Sequence, residues 1–143
     1  GLVETAGYLP NAPNELSLYS TEHYYRGEAC KLRRFALRLD GFVAVNAPLK
    51  GGTLLTKSLV FTGSQLHLNF STSGAGSLRV ELQDESGQAI EGFALEDCEE
   101  LFGDEIERVV RWERGGDVSA LAGEQVRLRF VLSDADLFAF QFN

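Results

Sequence analysis

The sequence has no methionine, even at its first position. Among 143 residues there are only two cysteines, two histidines, three prolines and one tryptophan. Each scarcity excludes something. Lacking an initiator, the chain is expected to be a piece of a longer protein or a processed chain. Two histidines and two cysteines, Cys30 and Cys98, with no CxxC spacing cannot supply a closed zinc site. The two thiols are equally compatible with one disulfide in a secreted protein or with two free cysteines. Positive charge is scarce too, 13 bases against 21 acids, for a formal net charge of −8. A field of that sign repels phosphate backbones, so nucleic acid is not an expected partner. No apolar run approaches the length that crosses a bilayer, so neither is a membrane. The opening "GLVETAGYLP" lacks a basic region followed by an apolar core, so no signal peptide is expected within it. Segments of helical period are also few.

Two-residue alternation takes their place, the mark of strands with one buried face. In "KLRRFALRLD" Phe35, Leu37 and Leu39 share one side, with Arg34, Ala36 and Arg38 on the other. "QLHLNFS" directs Leu66, Leu68 and Phe70 inward, and His67 and Asn69 outward into solvent. "SLRVELQ" sets Leu78, Val80 and Leu82 against Arg79, Glu81 and Gln83. "VRLRFVL" sets Val126, Leu128 and Phe130 against Arg127 and Arg129, and "LFAFQF" stacks Phe138, Phe140 and Phe142.

Turn chemistry punctuates these runs. Asp40–Gly41 suits a two-residue hairpin of type I′. "KGG", "TGS", "SGAG" and "DESGQ" mark further turns, and "DAD" at Asp134 to Asp136 reads as a hairpin between two strands. "GDVSALAG" reads as one helical turn capped by Asp117 and closed by Gly123. Eight to ten short strands at regular spacing predict an all-β fold, an antiparallel β-sandwich of jelly-roll type. Residues 1–14, with little alternation, read as a linker or arm, and residues 15–143 as a single β-sandwich domain. A chain of this length would bury about two thirds of the surface exposed when unfolded.

The order "ELSLYSTEHYYRG … LRRFALRLDGFVAVNA … GGTLLTKSLVF … GFALEDCEELFGDEIERVVRW … VRLRFVLSDADLFAFQF" resembles the C-terminal, carbohydrate-binding-like β-sandwich of bacterial five-bladed β-propeller proteins, the invertase-like glycoside hydrolase type. The likeness runs from about Glu15 to Phe142. Its most distinctive pieces are Asp40–Phe42, the "GFALEDC" segment with the downstream "GDEI" and Trp112, and the closing strand. In that family the propeller carries the catalytic carboxylates. The resemblance therefore implies a jelly-roll fold in a sugar-related context, an accessory domain without catalytic residues and an adjacent catalytic domain in the parent chain. It does not supply the ligand, and a polysaccharide or oligosaccharide is the expected partner. It also implies a secreted or cell-surface bacterial setting, and that residues 15–26 pack on, or complete, a propeller.

Seven acids crowd the stretch from Glu96 to Glu107. Asp97, Glu99 and Asp104 could offer hard oxygens to Ca²⁺, but the spacing matches no EF-hand loop. A solvated connection turning at Gly103–Asp104 is the preferred reading, with no metal and no cofactor. Cys98 is expected to pack as a small buried residue. Glycosidase chemistry needs two carboxyls across a sugar-sized cleft, and no isolated pair in apolar surroundings is visible.

Sugar binding asks for aromatic faces and planar polar groups. The candidates are Tyr24, Tyr25 and Arg26 in "EHYYRG", where a strand would turn only one tyrosine outward, together with Arg111 and Trp112. Trp112 shares a parity with Ile106 and Val110, which favours the core, although its place beside "ERGG" would also let it project into a loop site with Arg111 and Glu113. The outward arginines 34, 38, 79, 127 and 129 are expected to pair with acids across strands, Glu81 among them. Two functions follow from this. One is a carbohydrate-binding module, which predicts outward aromatics in a groove. The other is a structural domain that stabilises a neighbouring propeller without binding sugar, which predicts an apolar patch around Leu16, Leu18, Tyr24 and Tyr25 and no groove.

Overall fold

A computed structural model describes residues Gly1 to Asn143. Every regular element is a strand apart from two single 3₁₀ turns, and every strand pairing is antiparallel. The chain divides into two compact units, Gly1–Phe42 and Val43–Asn143.

The first unit is a three-stranded sheet in the order β1 (Val3–Thr5), β2 (Glu15–Glu22), β3 (Lys31–Arg38). Residues 1–14, expected as an arm, thus contribute a strand, because Val3 to Thr5 pair with Glu15 to Ser17. One side chain ties all three strands. The Arg34 guanidinium donates to Ser17 Oγ at 2.7 Å, Thr5 Oγ1 at 2.8 Å and Glu15 Oε2 at 2.8 Å. Ser17 is the one buried residue of the unit. The opposite face holds the cross-strand pairs Leu16–Leu37 and Leu18–Phe35, and there Leu18 is 42% and Phe35 47% exposed. The alternation in β3 forms as expected, and neither of its sides is fully buried.

Asp40 does adopt a left-handed φ of 53°, yet the Asp40–Gly41 turn makes no hairpin. The strands around it pair elsewhere, β3 with β2, and Val45–Ala47 with the last strand of the chain, so the turn lies at the boundary between the units.

The second unit is a six-stranded sheet built on a long ribbon of β7 (Leu66–Gln83) and β9 (Gln125–Phe142). β8 (Asp104–Val109) joins the outer edge of β7. β4 (Val45–Ala47), β5 (Gly52–Leu55) and β6 (Leu59–Val60) join β9. The core is the even-numbered side of β7 (Leu66, Leu68, Phe70, Leu78, Val80, Leu82), all fully buried, against Val126, Leu128, Phe130 and Leu132 of β9. These alternations are the ones the sequence displays.

Two expected turns prove to be strand interior. "SGAG" and "DAD" face each other within the ribbon, where the register jumps between Thr72↔Ala135 and Ser77↔Ser133. Asp134, at φ 43°, is the β9 residue at this irregularity. The bulge shifts the parity of β9, so Ala135 and Leu137 point inward after Leu132. A second shift opposite Asn69 and Phe70 returns Phe140 and Phe142 to the core side. Phe138, expected inward with them, is therefore not a core residue, because a bulge moves every later side chain to the other face.

On the outer face the expected cross-strand pairing forms at Arg129, whereas Arg127 Nε is buried without a hydrogen-bond partner. Arg129 Nη1 lies 3.5 Å from Glu81 Oε1, and Gln83 donates to that oxygen at 2.6 Å. His67, expected to be solvated, has both ring nitrogens shut off from solvent and without a hydrogen-bond partner. Its neighbour Asn69 is only 4% exposed.

Candidate functional site

The acidic stretch runs as an irregular cover along the free edge of the second half of β7. The Leu82 amide donates to Phe93 C=O at 3.0 Å, and Leu78 and Leu101 exchange both backbone bonds at 2.8 and 2.9 Å. Phe93, Cys98 and Leu101 are buried at 3%, 4% and 1% exposure, while Glu96, Glu99 and Glu100 between them face out. The segment is thus more than a turn: spaced apolar residues anchor it and the acids solvate its outer side.

Its individual acids have separate tasks. Asp97 Oδ2 accepts the Ala94 amide at 3.3 Å, and Glu99 and Glu105 both accept from Arg108 at 3.2 Å. No group of three or more His, Cys, Asp or Glu side chains converges as metal ligands would, Asp97, Glu99 and Asp104 included.

Backbone bonds then zip this cover to the chain beyond β8. The Glu113 amide donates to Asp97 C=O at 2.8 Å and the Glu99 amide to Arg111 C=O at 2.9 Å. A tight turn, with Trp112 and Gly115 exchanging bonds at 2.9 and 2.7 Å, points the chain back. Arg79, Glu96, Asp97, Cys98, Glu99, Arg111, Trp112 and Glu113 consequently line one surface depression of about 430 Å³.

Trp112 contributes little of its face to it. It is 3% exposed, donates from Nε1 to Val80 C=O at 3.1 Å and meets Phe93 edge-to-face at 5.2 Å. It is a core residue, and no sugar ring can stack on an indole already covered in this way. Arg111 is exposed at the rim, as a binding residue must be.

The other three candidates lie in the first unit. Tyr24, Tyr25 and Arg26 follow the end of β2 in a turn, where His23 takes φ 55° and the Arg26 amide donates to His23 C=O at 2.8 Å. Leaving the strand frees both tyrosines from alternation. Both face outward, 66% and 93% exposed, with their rings edge-to-face at 4.9 Å. The sequence-derived set thus falls on separate units, Tyr24 to Arg26 on the first and Arg111 and Trp112 on the second. The residues that sequence reasoning missed are Arg79 and Glu96. Arg79 reads as one more outward strand residue, and Glu96 as one acid among seven.

Both cysteines are free, Cys30 exposed and Cys98 buried. Cys98 Sγ accepts the Val80 amide and donates to Glu99 C=O, each at 3.3 Å. Burial pushes its thiol above the ordinary range. A thiol reagent is therefore expected to label Cys30 at once and Cys98 only as the second unit opens. Equal labelling rates in the native protein would refute the packing described.

Comparison with known protein families, curated proteins and solved structures finds no match.

Proposed function

We propose that the chain is a non-catalytic accessory domain of a glycoside hydrolase-like protein, and that its second unit binds carbohydrate in the depression beside Arg111. The observation that carries this reading is a set of uncommitted polar groups. Arg111, Glu96 and Glu113 border one concavity and spend none of their side-chain donors or acceptors on the rest of the chain. Arg79, Asp97 and Glu99 beside them are held by Leu95 C=O, the Ala94 amide and Arg108. Guanidinium and carboxylate groups in a concavity match the hydroxyls of a saccharide. The jelly-roll topology and the hydrolase context rest on the family resemblance, and the structure adds the antiparallel all-β fold class.

Affinity electrophoresis in gels carrying a neutral polysaccharide tests this reading. Retardation is expected and should weaken at least about tenfold in Arg111→Ala, since a hydrogen bond to a charged group contributes roughly 1.5–3 kcal/mol. Arg111 is exposed, so the fold survives the change. Undiminished retardation in that variant would place the ligand elsewhere.

The first unit favours the alternative, a structural accessory that stabilises a neighbouring propeller without binding sugar. A three-stranded sheet with one buried residue, and with Leu18 and Phe35 nearly half exposed, buries little apolar surface of its own. Leu18→Ser with Phe35→Ser should cost this chain about 1–2 kcal/mol, because the two meet across β2 and β3 and are already more than half covered. The same pair should cost the parent protein about 1.5–3 kcal/mol per side chain, because docking buries them there. An unaltered parent melting curve would dismiss the docking role.

A further inference from the structure

We infer, resting on the sugar-binding reading above, that the depression takes uncharged saccharides and rejects those bearing carboxylates or sulfates. Its lining carries four carboxylates (Glu96, Asp97, Glu99, Glu113) against two guanidiniums, Arg79 and Arg111. Arg79 is already engaged, with Nη1 on Leu95 C=O at 3.4 Å and Nε 3.9 Å from Glu100. The uncommitted set is thus one cation, Arg111, against two anions, Glu96 and Glu113.

Hydrogen-bond polarity decides between the sugar classes. Ionised carboxylates only accept, so Glu96 and Glu113 need donors from the ligand. Sugar hydroxyls donate to them and accept from Arg111 with equal ease. A uronate or sulfate group can only accept, so it satisfies Arg111 alone while adding negative charge beside two carboxylates. Close like charges are costly, and more so where water is partly displaced.

The wider field acts in the same direction. The first unit holds five acids and five bases, so the whole net charge of −8 belongs to the second unit, 16 acids against eight bases. Such a field slows the approach of polyanions at low salt and is screened beyond about 10 Å at 0.1 M.

Affinity electrophoresis of the full chain against a panel tests the inference: a β-glucan, a mannan and a xylan as neutral polymers, pectate and alginate as uronates, each run at low salt and in 0.5 M NaCl. At least one neutral polymer should retard the protein, with that retardation cut about tenfold or more in Arg111→Ala. Both uronates should retard it at least tenfold less at low salt. A uronate that retards it as strongly as the best neutral polymer overturns the inference while leaving sugar binding in place. A uronate that becomes the best ligand only in 0.5 M NaCl overturns the argument from the lining, since only the long-range field would then have kept it out. Silence from every polymer overturns the sugar-binding reading itself, and this inference with it.

Discussion

Replacing Trp112 with alanine is expected to destabilise the second unit by about 3–5 kcal/mol, the usual cost of emptying a buried indole site. Two further losses accompany the cavity. The Val80 carbonyl loses its partner at 3.1 Å, and the Phe93 ring loses its edge-to-face neighbour. Because Cys98 and Trp112 form a β-bridge, the acidic cover would loosen as well. Urea unfolding followed by circular dichroism measures the change, since the variant removes the chain's single tryptophan and its fluorescence. Trp112→Phe should recover part of the loss by refilling volume without restoring the hydrogen bond. An alanine variant as stable as the parent would mean that the indole projects into the depression, and stacking on sugar would again be open.

Gly76→Ala is expected to be nearly as damaging, because the space beside its Cα is already filled by backbone. A Cβ at Gly76 would fall on the Asp134 carbonyl oxygen, and 2.8 Å from the oxygen of Ser133. Both obstacles are backbone, at the point where the β7–β9 ribbon shifts register, so neither can swing aside as a side chain would. Overpacking of this kind typically costs about 1–3 kcal/mol, and the upper end is expected here. Gly74, two residues earlier, has nothing within 4 Å of such a Cβ. Gly74→Ala should stay within about 0.5 kcal/mol of the parent. Equal stability of the two variants in urea would show that the β9 backbone does not cross there.

Strand interiors were legible because alternation is local and reads the same in any antiparallel sheet. Leu66, Leu68, Phe70, Leu78, Val80 and Leu82 are buried as the two-residue rhythm requires. So was the 3₁₀ turn at Ser119–Leu121, where the Ser119 amide donates to Asp117 Oδ1 at 2.8 Å and Gly123 takes φ 88°. What misled was turn chemistry inside long strands. Gly74, Gly76 and Asp134 look like loop residues, yet here they serve bulges, where one strand carries extra residues and its partner a left-handed one. The missed site residues have an equally physical cause. Arg79 and Glu96 stand 17 positions apart, and only the cover that folds along β7 brings them to the same depression.

From the sequence alone came the all-β character, the antiparallel preference, most of the core and Glu81 as a cross-strand partner for an outward arginine. Each depends on period, turn propensity or charge within one or two strands. Tertiary structure decided where the chain divides, that neither side of β3 is fully buried, that Trp112 is spent on the core, and which acids face Arg111. Those depend on contacts between residues far apart in the chain, and a single register shift or crossover moves them without altering the local pattern.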